Sequence, residues 1–174
     1  IRVMPFTPFH MGPSIAVGLP LRKYLHAPTF IVGNLVLDIE PLLVLAFGLR
    51  YSLHGYLHTL VLALAVGLLL GVVMFKLEKF MSPFYRKVKL ETDKPLKVGS
   101  FLSAGVFGSV LHVLFDAFLY SDMEAFFPLA VNPLLDLHLS MSQVYMFCVY
   151  LGMFGIVFYV CLLVYSLNKR TAKA

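Results

Sequence analysis

The stretch His54-Gly55-Tyr56-Leu57-His58-Thr59-Leu60-Val61-Leu62-Ala63-Leu64-Ala65-Val66-Gly67-Leu68-Leu69-Leu70-Gly71-Val72-Val73-Met74-Phe75 decides the fold. From Gly55 to Phe75 it carries no Asp, Glu, Lys or Arg. A run of about 20 predominantly apolar residues is what a helix needs to cross a bilayer. Three more runs meet that length, Ala27 to Leu49, Gly99 to Tyr120 and Met141 to Leu167. The expected fold is therefore an all-α integral membrane protein, one membrane domain over residues 1–174 with four transmembrane helices. The segment Phe9 to Leu21 is apolar but short and broken by Pro13 and Pro20, which fits a short buried or re-entrant helix. Basic residues follow that segment instead of preceding it, so it is read as mature structure and not as a signal peptide.

Composition agrees. The chain is 60% hydrophobic and 13% charged, with a mean hydropathy of +0.86, against about 45–50% apolar and about 25% charged for a soluble domain. An ordinary cytosolic enzyme, a disordered chain and a disulfide scaffold are all excluded. Cys148 and Cys161 lie in one apolar run, about 20 Å apart on a helix, too far for a disulfide within the chain.

The net charge of +5 reads as an orientation signal, with no nucleic-acid partner implied. Lys76, Lys79, Arg86, Lys87, Lys89, Lys94 and Lys97 fall in the connection 76–98. Lys169, Arg170 and Lys173 follow the last span, and Arg22 and Lys23 precede the first. With four alternating spans these groups share one side, which the positive-inside rule makes cytoplasmic, in a cell or inner membrane. Only Arg50 sits at the opposite face. The connection 121–140 then lies outside, and its Ala125-Phe126-Phe127 run, with Pro128 and Pro133, suits a loop that dips back toward the membrane. Gly67 and Gly71 have a weak small-residue packing spacing.

Ionisable groups inside spans cost about 2.5–3.5 kcal/mol for Asp at a helix centre and mark functional sites when they converge. Asp38 and Glu40 stand in the first span, followed by Pro41; His54 and His58 open the second; His112 and Asp116 lie in the third; His10 is in the short N-terminal segment. His54/His58, His112/Asp116 and Asn34/Asp38 are i, i+4 pairs, each sharing a helix face. Gly105, Ser109, His112 and Asp116 form one stripe whose small members admit a neighbouring helix. Imidazole and carboxylate together suit Zn²⁺ or a similar divalent ion. The candidate metal ligands read from depth and spacing are Asp38, His58, His112 and Asp116.

Blander readings stand beside these. His54 alone reads as an interfacial residue, His26 and His138 as surface residues, and Asp122 and Glu124 as a solvated helix end. Glu40 points about 200° from Asp38 on an ideal helix, so either Pro41 distorts the turn or Glu40 serves another face. His112 and Asp116 also suit a structural pair or a proton or metal pathway. The zincin spacing of His54 and His58 has Gly55 in its interior and no general-base Glu. No serine-nucleophile elbow, P-loop or dinucleotide fingerprint is present.

Four segments in order carry a resemblance. They are Met4-Pro5-Phe6-Thr7-Pro8-Phe9-His10, Gly33-Asn34-Leu35-Val36-Leu37-Asp38-Ile39-Glu40-Pro41, His54-Gly55-Tyr56-Leu57-His58-Thr59 and Leu111-His112-Val113-Leu114-Phe115-Asp116. Together they resemble the predicted membrane-bound metal-dependent hydrolases, the YdjM-like family, over roughly Met4 to Pro133. A more distant similarity is to the helical zinc-dependent phospholipase C and nuclease superfamily. That similarity implies that Asp38, His58, His112 and Asp116 bind one metal, and that His10 and a bridging Asp116 contribute to a second. The superfamily's later His and Glu ligands have no counterpart after Asp116, which leaves one or two ions, with His54 as candidate for the second site.

The expected function is an integral-membrane hydrolase with a zinc-type centre of one or two ions, acting on a lipid, lipid-linked or other phosphoester substrate. Asp38 and Glu40 are the candidates for orienting or deprotonating the attacking water. The alternatives are a metal-ion or proton transporter, which with four spans requires an oligomer, and a structural subunit whose polar cluster only holds helices together.

Overall fold

The computed structural model describes residues 8–91 and 94–171, so the first four residues of the opening motif, Met4 to Thr7, lie outside the described residues. The described residues are helical, without a strand. A 3-10 turn over Pro8–His10 leads into α1 (Met11–Gly18), followed by α2 (Ala27–Gly33), α3 (Ile39–Phe47), α4 (Leu60–Lys87), α5 (Val98–Ala117) and α6 (Met141–Thr171). Four segments are long and apolar enough to cross a membrane, Ala27–Phe47, Leu60–Lys87, Val98–Ala117 and Met141–Lys169. This is the all-α membrane architecture the sequence predicts.

The first span is not the continuous helix expected over Ala27 to Leu49. It begins at His26, whose ring accepts from the Thr29 amide as an N-cap, with Pro28 in the first turn. It breaks after Gly33, passes through a 3-10 turn at Val36–Asp38, and resumes as α3 until Gly48, which takes the left-handed conformation (φ 58°) that glycine adopts without penalty. A break inside a membrane is tolerated only if the freed backbone groups find other partners. Here α5 supplies them. Ser109 Oγ donates to the Gly33 carbonyl at 3.2 Å and His112 Nδ1 to the Asn34 carbonyl at 2.8 Å.

The second span starts later and ends later than expected. Thr59 is extended and caps α4, its hydroxyl accepting from the Leu62 amide at 3.3 Å. His54 and His58 therefore precede the helix, with His58 closing a 3-10 turn over Tyr56–His58, and the shared helix face inferred from their spacing does not exist. At the other end α4 runs twelve residues past Phe75, because Lys76-Leu77-Glu78-Lys79 are good helix formers and a helix keeps its own backbone bonded. Lys76 and Lys79 sit on its exposed surface, and the connection to α5 shrinks from 76–98 to 88–97.

The antiparallel pair α4/α5 is the centre of the bundle, joined through glycine. A Cβ on Gly67 would stand 2.7 Å from the Gly105 carbonyl oxygen, and one on Gly71 2.7 Å from Leu102 Cα. Such backbone-to-backbone approach is how membrane helices associate without a hydrophobic driving force. α2 lies along α5, with Gly33 against Gly105 and Gly108. α1 is the short buried helix foreseen for the N-terminus, and its Gly12 meets Cys148 and Gly152 of α6. Outward faces are apolar and exposed, Leu69, Phe107, Phe154 and Val157 among them, which suits lipid as the surrounding solvent.

Two buried apolar clusters mark the two ends of the bundle. Leu37, Ala63, Val113, Ala117, Met123 and Ala125 pack at one end, and Met74, Tyr85 and Phe101 at the other. The 121–140 connection does fold back onto the helices. Met123 and Ala125 are buried, and the Ala125 carbonyl accepts from the Leu60 amide at 2.8 Å. Both cysteines are free.

Candidate metal centre

The break in the first span, the turn before α4 and the last turns of α5 meet at one end of the bundle. The break turns Asp38 inward, and the C-terminal half of α5 presents His112 and Asp116 one turn apart. The turn at residues 54–58 brings in two imidazoles, and the 3-10 turn before α1 brings in His10. All six candidate ligands are buried, His58 and His112 completely.

Their donor atoms converge. His112 Nε2 lies 3.3 Å from His58 Nε2, 3.1 Å from Asp116 Oδ2 and 3.8 Å from Asp38 Oδ1. His58 Nε2 is 3.7 Å from Asp116 Oδ2, and His10 Nε2 is 3.0 Å from Asp116 Oδ1. His54 packs edge-on to His58 with ring centroids 5.0 Å apart. Three overlapping sets have donor atoms all within 4.8 Å of one another: His10, His112 and Asp116; Asp38, His58 and His112; His54, His58 and Asp116. Asp116 belongs to two of them, as does each of His58 and His112.

The imidazoles are oriented from behind. His112 Nδ1 is tied to the Asn34 carbonyl at 2.8 Å, which must accept, so this nitrogen carries the proton and Nε2 presents its lone pair inward. His58 Nδ1 is held by Glu40 Oε2 at 2.8 Å with the same consequence. His54 Nδ1 is held by Asp122 Oδ1 at 3.1 Å. Two Nε2 lone pairs thus face each other at 3.3 Å across carboxylate oxygens, an arrangement of acceptors without donors. The orphaned buried atoms repeat the theme, since Asp38 Oδ2 and Asp116 Oδ1 have no hydrogen-bond partner. In a tetrahedral zinc site with bonds of about 2.0–2.1 Å, neighbouring ligand atoms stand about 3.3–3.4 Å apart. The observed separations bracket that value, and the residues can hold a metal ion.

Glu40 resolves the open question about its direction. The broken helix turns it toward the 54–58 segment, where it accepts from the Gly55 amide at 3.1 Å, the Leu57 amide at 3.3 Å and the Tyr51 hydroxyl at 3.2 Å, besides His58. With four donors on its two oxygens it shapes the turn and aims His58.

Two surface readings are corrected. Asp122 is not simply a solvated helix end, because it accepts from Ser52 Oγ at 3.0 Å and from the His54 amide at 3.4 Å as well as binding the His54 ring. Burial raises its carboxyl, but the His54 charge and these hydrogen bonds outweigh that and hold it below the ordinary range. Nothing in the sequence marked it beyond being an acid after Asp116. His26 is not a surface residue either. It is fully buried, stacked on Phe101 with ring centroids 4.1 Å apart, at the far end of the bundle. Burial pushes its imidazole down to about 4, against the opposing pull of Glu91. Glu124 and His138 are exposed, as read.

A cavity of about 350 Å³ opens beside the centre, lined by Arg50, Tyr51, Ser52, His54, Tyr56 and Asp122, with Gly55, Thr59 and Glu124. His54 is the only one of the six candidate ligands on its wall. No family model, no curated protein and no solved structure matches this chain.

Proposed function

We propose that the protein is an integral-membrane hydrolase that uses one or two zinc-type ions on a phosphoester or lipid-linked substrate. The observation that carries this reading is the inward-facing set of ligand atoms, His58 Nε2 and His112 Nε2 with the Asp38 and Asp116 carboxylates, of which Asp38 Oδ2 and Asp116 Oδ1 are buried without a hydrogen-bond partner. A divalent cation supplies Lewis acidity and a water-derived nucleophile at neutral pH. Asp38 Oδ2, buried and unpaired, would take the proton from the attacking water. Glu40 holds His58 in its ligating tautomer and touches no reacting atom. The cavity gives access, and Arg50 on its wall suits an anionic phosphoryl group. The resemblance of the four ordered segments to the predicted membrane-bound metal-dependent hydrolases supports the same reading.

The glycine seam favours hydrolysis over transport. Between the site and the far end of the bundle, α4 and α5 meet backbone to backbone at Gly67, Gly71 and Gly105, which leaves no passage for an ion between these two helices. The test is metal analysis of the chain in mild detergent, followed by assays on phospholipids and simple phosphodiesters with chelator and with Zn²⁺ or Mn²⁺ restored. Chelator-sensitive turnover is the expected result. Metal flux into liposomes without hydrolysis would establish the transporter instead.

The site is further proposed to face the outer side. Arg22, Lys23, Lys87, Lys97 and Lys169 all belong to the end of the bundle away from it, where Tyr159 of α6 reaches Val88, and positive ends stay cytoplasmic. Ser82 is buried, so the labelling experiment uses cysteines at exposed Lys97 and Ser121. In intact cells the cysteine at position 121 labels and the one at position 97 does not.

A further inference from the structure

At the end of the bundle away from the candidate centre, a second group of buried donors has no part in the proposed hydrolysis. It consists of His26 at the start of α2, Glu78 near the end of α4 and Glu91 in the 88–97 connection. His26 Nε2 lies 3.3 Å from Glu91 Oε1 and 3.4 Å from Glu78 Oε2. His26 is fully buried and Glu91 nearly so. Yet His26 Nε2, Glu78 Oε2 and Glu91 Oε1 are all buried atoms with no well-formed hydrogen bond. One imidazole nitrogen and two carboxylate oxygens, buried and all within 4.8 Å of one another, make a donor set that can hold an ion.

We infer that His26, Glu78 and Glu91 form a second metal site, taking a divalent first-row transition cation. One imidazole with two carboxylates suits Zn²⁺, Fe²⁺ or Mn²⁺. The separations of 3.3 and 3.4 Å match the edge of about 3.3–3.4 Å in a tetrahedron with bonds of about 2.0–2.1 Å. The surroundings are those of a built site. Phe101 stacks on the His26 ring, and Tyr85 meets it edge-on with centroids 5.6 Å apart. His26 Nδ1 accepts from the Thr29 amide at 3.3 Å and stands 2.6 Å from Thr29 Oγ1, so the ring proton lies on Nε2; an ion at Nε2 would shift that proton to Nδ1, which then donates to the Thr29 hydroxyl in place of the amide contact. Ser82 Oγ donates to Glu91 Oε2 at 3.0 Å, with Arg86 Nε at 3.7 Å from the same oxygen. The outer oxygen of Glu91 is thereby engaged and the inner one left free. Occupied, the site pins the α4–α5 connection to the first span and fixes the basic end of the bundle.

The inference does not rest on the hydrolase reading, and its test separates the two. The full chain in mild detergent is stripped with chelator, reloaded with Zn²⁺ or Mn²⁺, and its metal content counted. Glu78→Gln lowers the count by one ion per chain and leaves chelator-sensitive hydrolysis in place. His112→Ala abolishes hydrolysis and leaves the ion held by Glu78. A Glu78→Gln protein with the wild-type count would overturn the site and identify His26, Glu78 and Glu91 as a proton-sharing cluster. Should that variant fail to insert, anomalous scattering from wild-type crystals decides. A peak between the three side chains supports the site, and its absence after reloading removes it.

Discussion

The two ends of the bundle bury ionisable groups in different ways. At the candidate centre the donors come from the turn before α1, the broken first span, the turn before α4 and α5, and each oriented imidazole is braced from behind. His112 uses the Asn34 carbonyl, His58 uses Glu40, and His54 uses Asp122. At the basic end one imidazole, two carboxylates and a threonine hydroxyl do the same work on a smaller scale. The lesson is that a buried histidine is aimed by what its Nδ1 finds. At the centre that partner exists because the chain departs from regular helix, since an unbroken first span would offer no free carbonyl at Asn34. The seam of α4 against α5 carries both ends.

The largest effect is therefore expected at the seam. Gly105→Leu forces a side chain into the backbone of Gly67, where even a Cβ has no room. Overpacking costs about 1–3 kcal/mol, sometimes more, and here both ends are lost together. Metal content at both sites should fall with the thermal midpoint in detergent. A variant that kept either site intact would show that the ends are positioned independently of the seam.

His112→Ala comes next and breaks one end only. It removes a ligand shared by two of the three donor sets and the bond to the Asn34 carbonyl. Activity should be abolished along with metal at the centre, while the spans, set by other residues, remain inserted. A variant that binds no less metal than the wild type and hydrolyses as fast would reduce the cluster to helix glue.

The two ends also differ in how far they could be read beforehand. The spans were legible because lipid imposes a length and a composition that few other folds share. His10, Asp38, His54, His58, His112 and Asp116 stood out because each is expensive in an apolar setting. What failed was local geometry. Gly33-Asn34-Leu35 reads as ordinary apolar helix, and only Ser109 and His112 waiting on α5 make its break worthwhile. The pairing of His54 with His58 survived for the wrong reason, as a turn aimed by Glu40 and not as a helix face. The basic end was missed because α4 was expected to stop at Phe75, which put Glu78 in a loop. His26, beside Arg22 and Lys23, resembled surface until Phe101 covered it.

Glu40→Gln tests the bracing itself. The amide keeps an acceptor for the Gly55 or Leu57 amide but loses the charge that holds the His58 Nδ1 proton. Changing partners of this kind costs about 10–100-fold in metal affinity or activity. The expected loss is in affinity at the centre, read by competition with a chelator, with no change in the ion held by Glu78. An unchanged affinity would mean that His58 is aimed by packing alone.

The smallest effect is expected at Asp122, where the bracing reaches solvent. Its side chain is 43% exposed, so water screens much of what it contributes. Asp122→Asn retains one acceptor for the His54 ring and loses the charge and one of the places taken by Ser52 and the His54 amide. The drop in metal affinity should be at most about tenfold, the low end of the range for such partners. Its pH dependence has a definite sign. The native carboxyl is held below the ordinary value of about 3.9 for Asp. The tether therefore contributes fully above that pH and is lost as the pH falls through the depressed native value. Unfolding of wild type and Asp122→Asn, followed between about pH 3 and 6, should show the wild type more stable at the upper end and the two converging at the lower. A difference that instead grew as the pH fell would mean that Asp122 is protonated more readily in the native protein than in the unfolded chain. Burial, not the charge of His54, would then govern that carboxylate, and the outer edge of the centre would have to be redrawn without it.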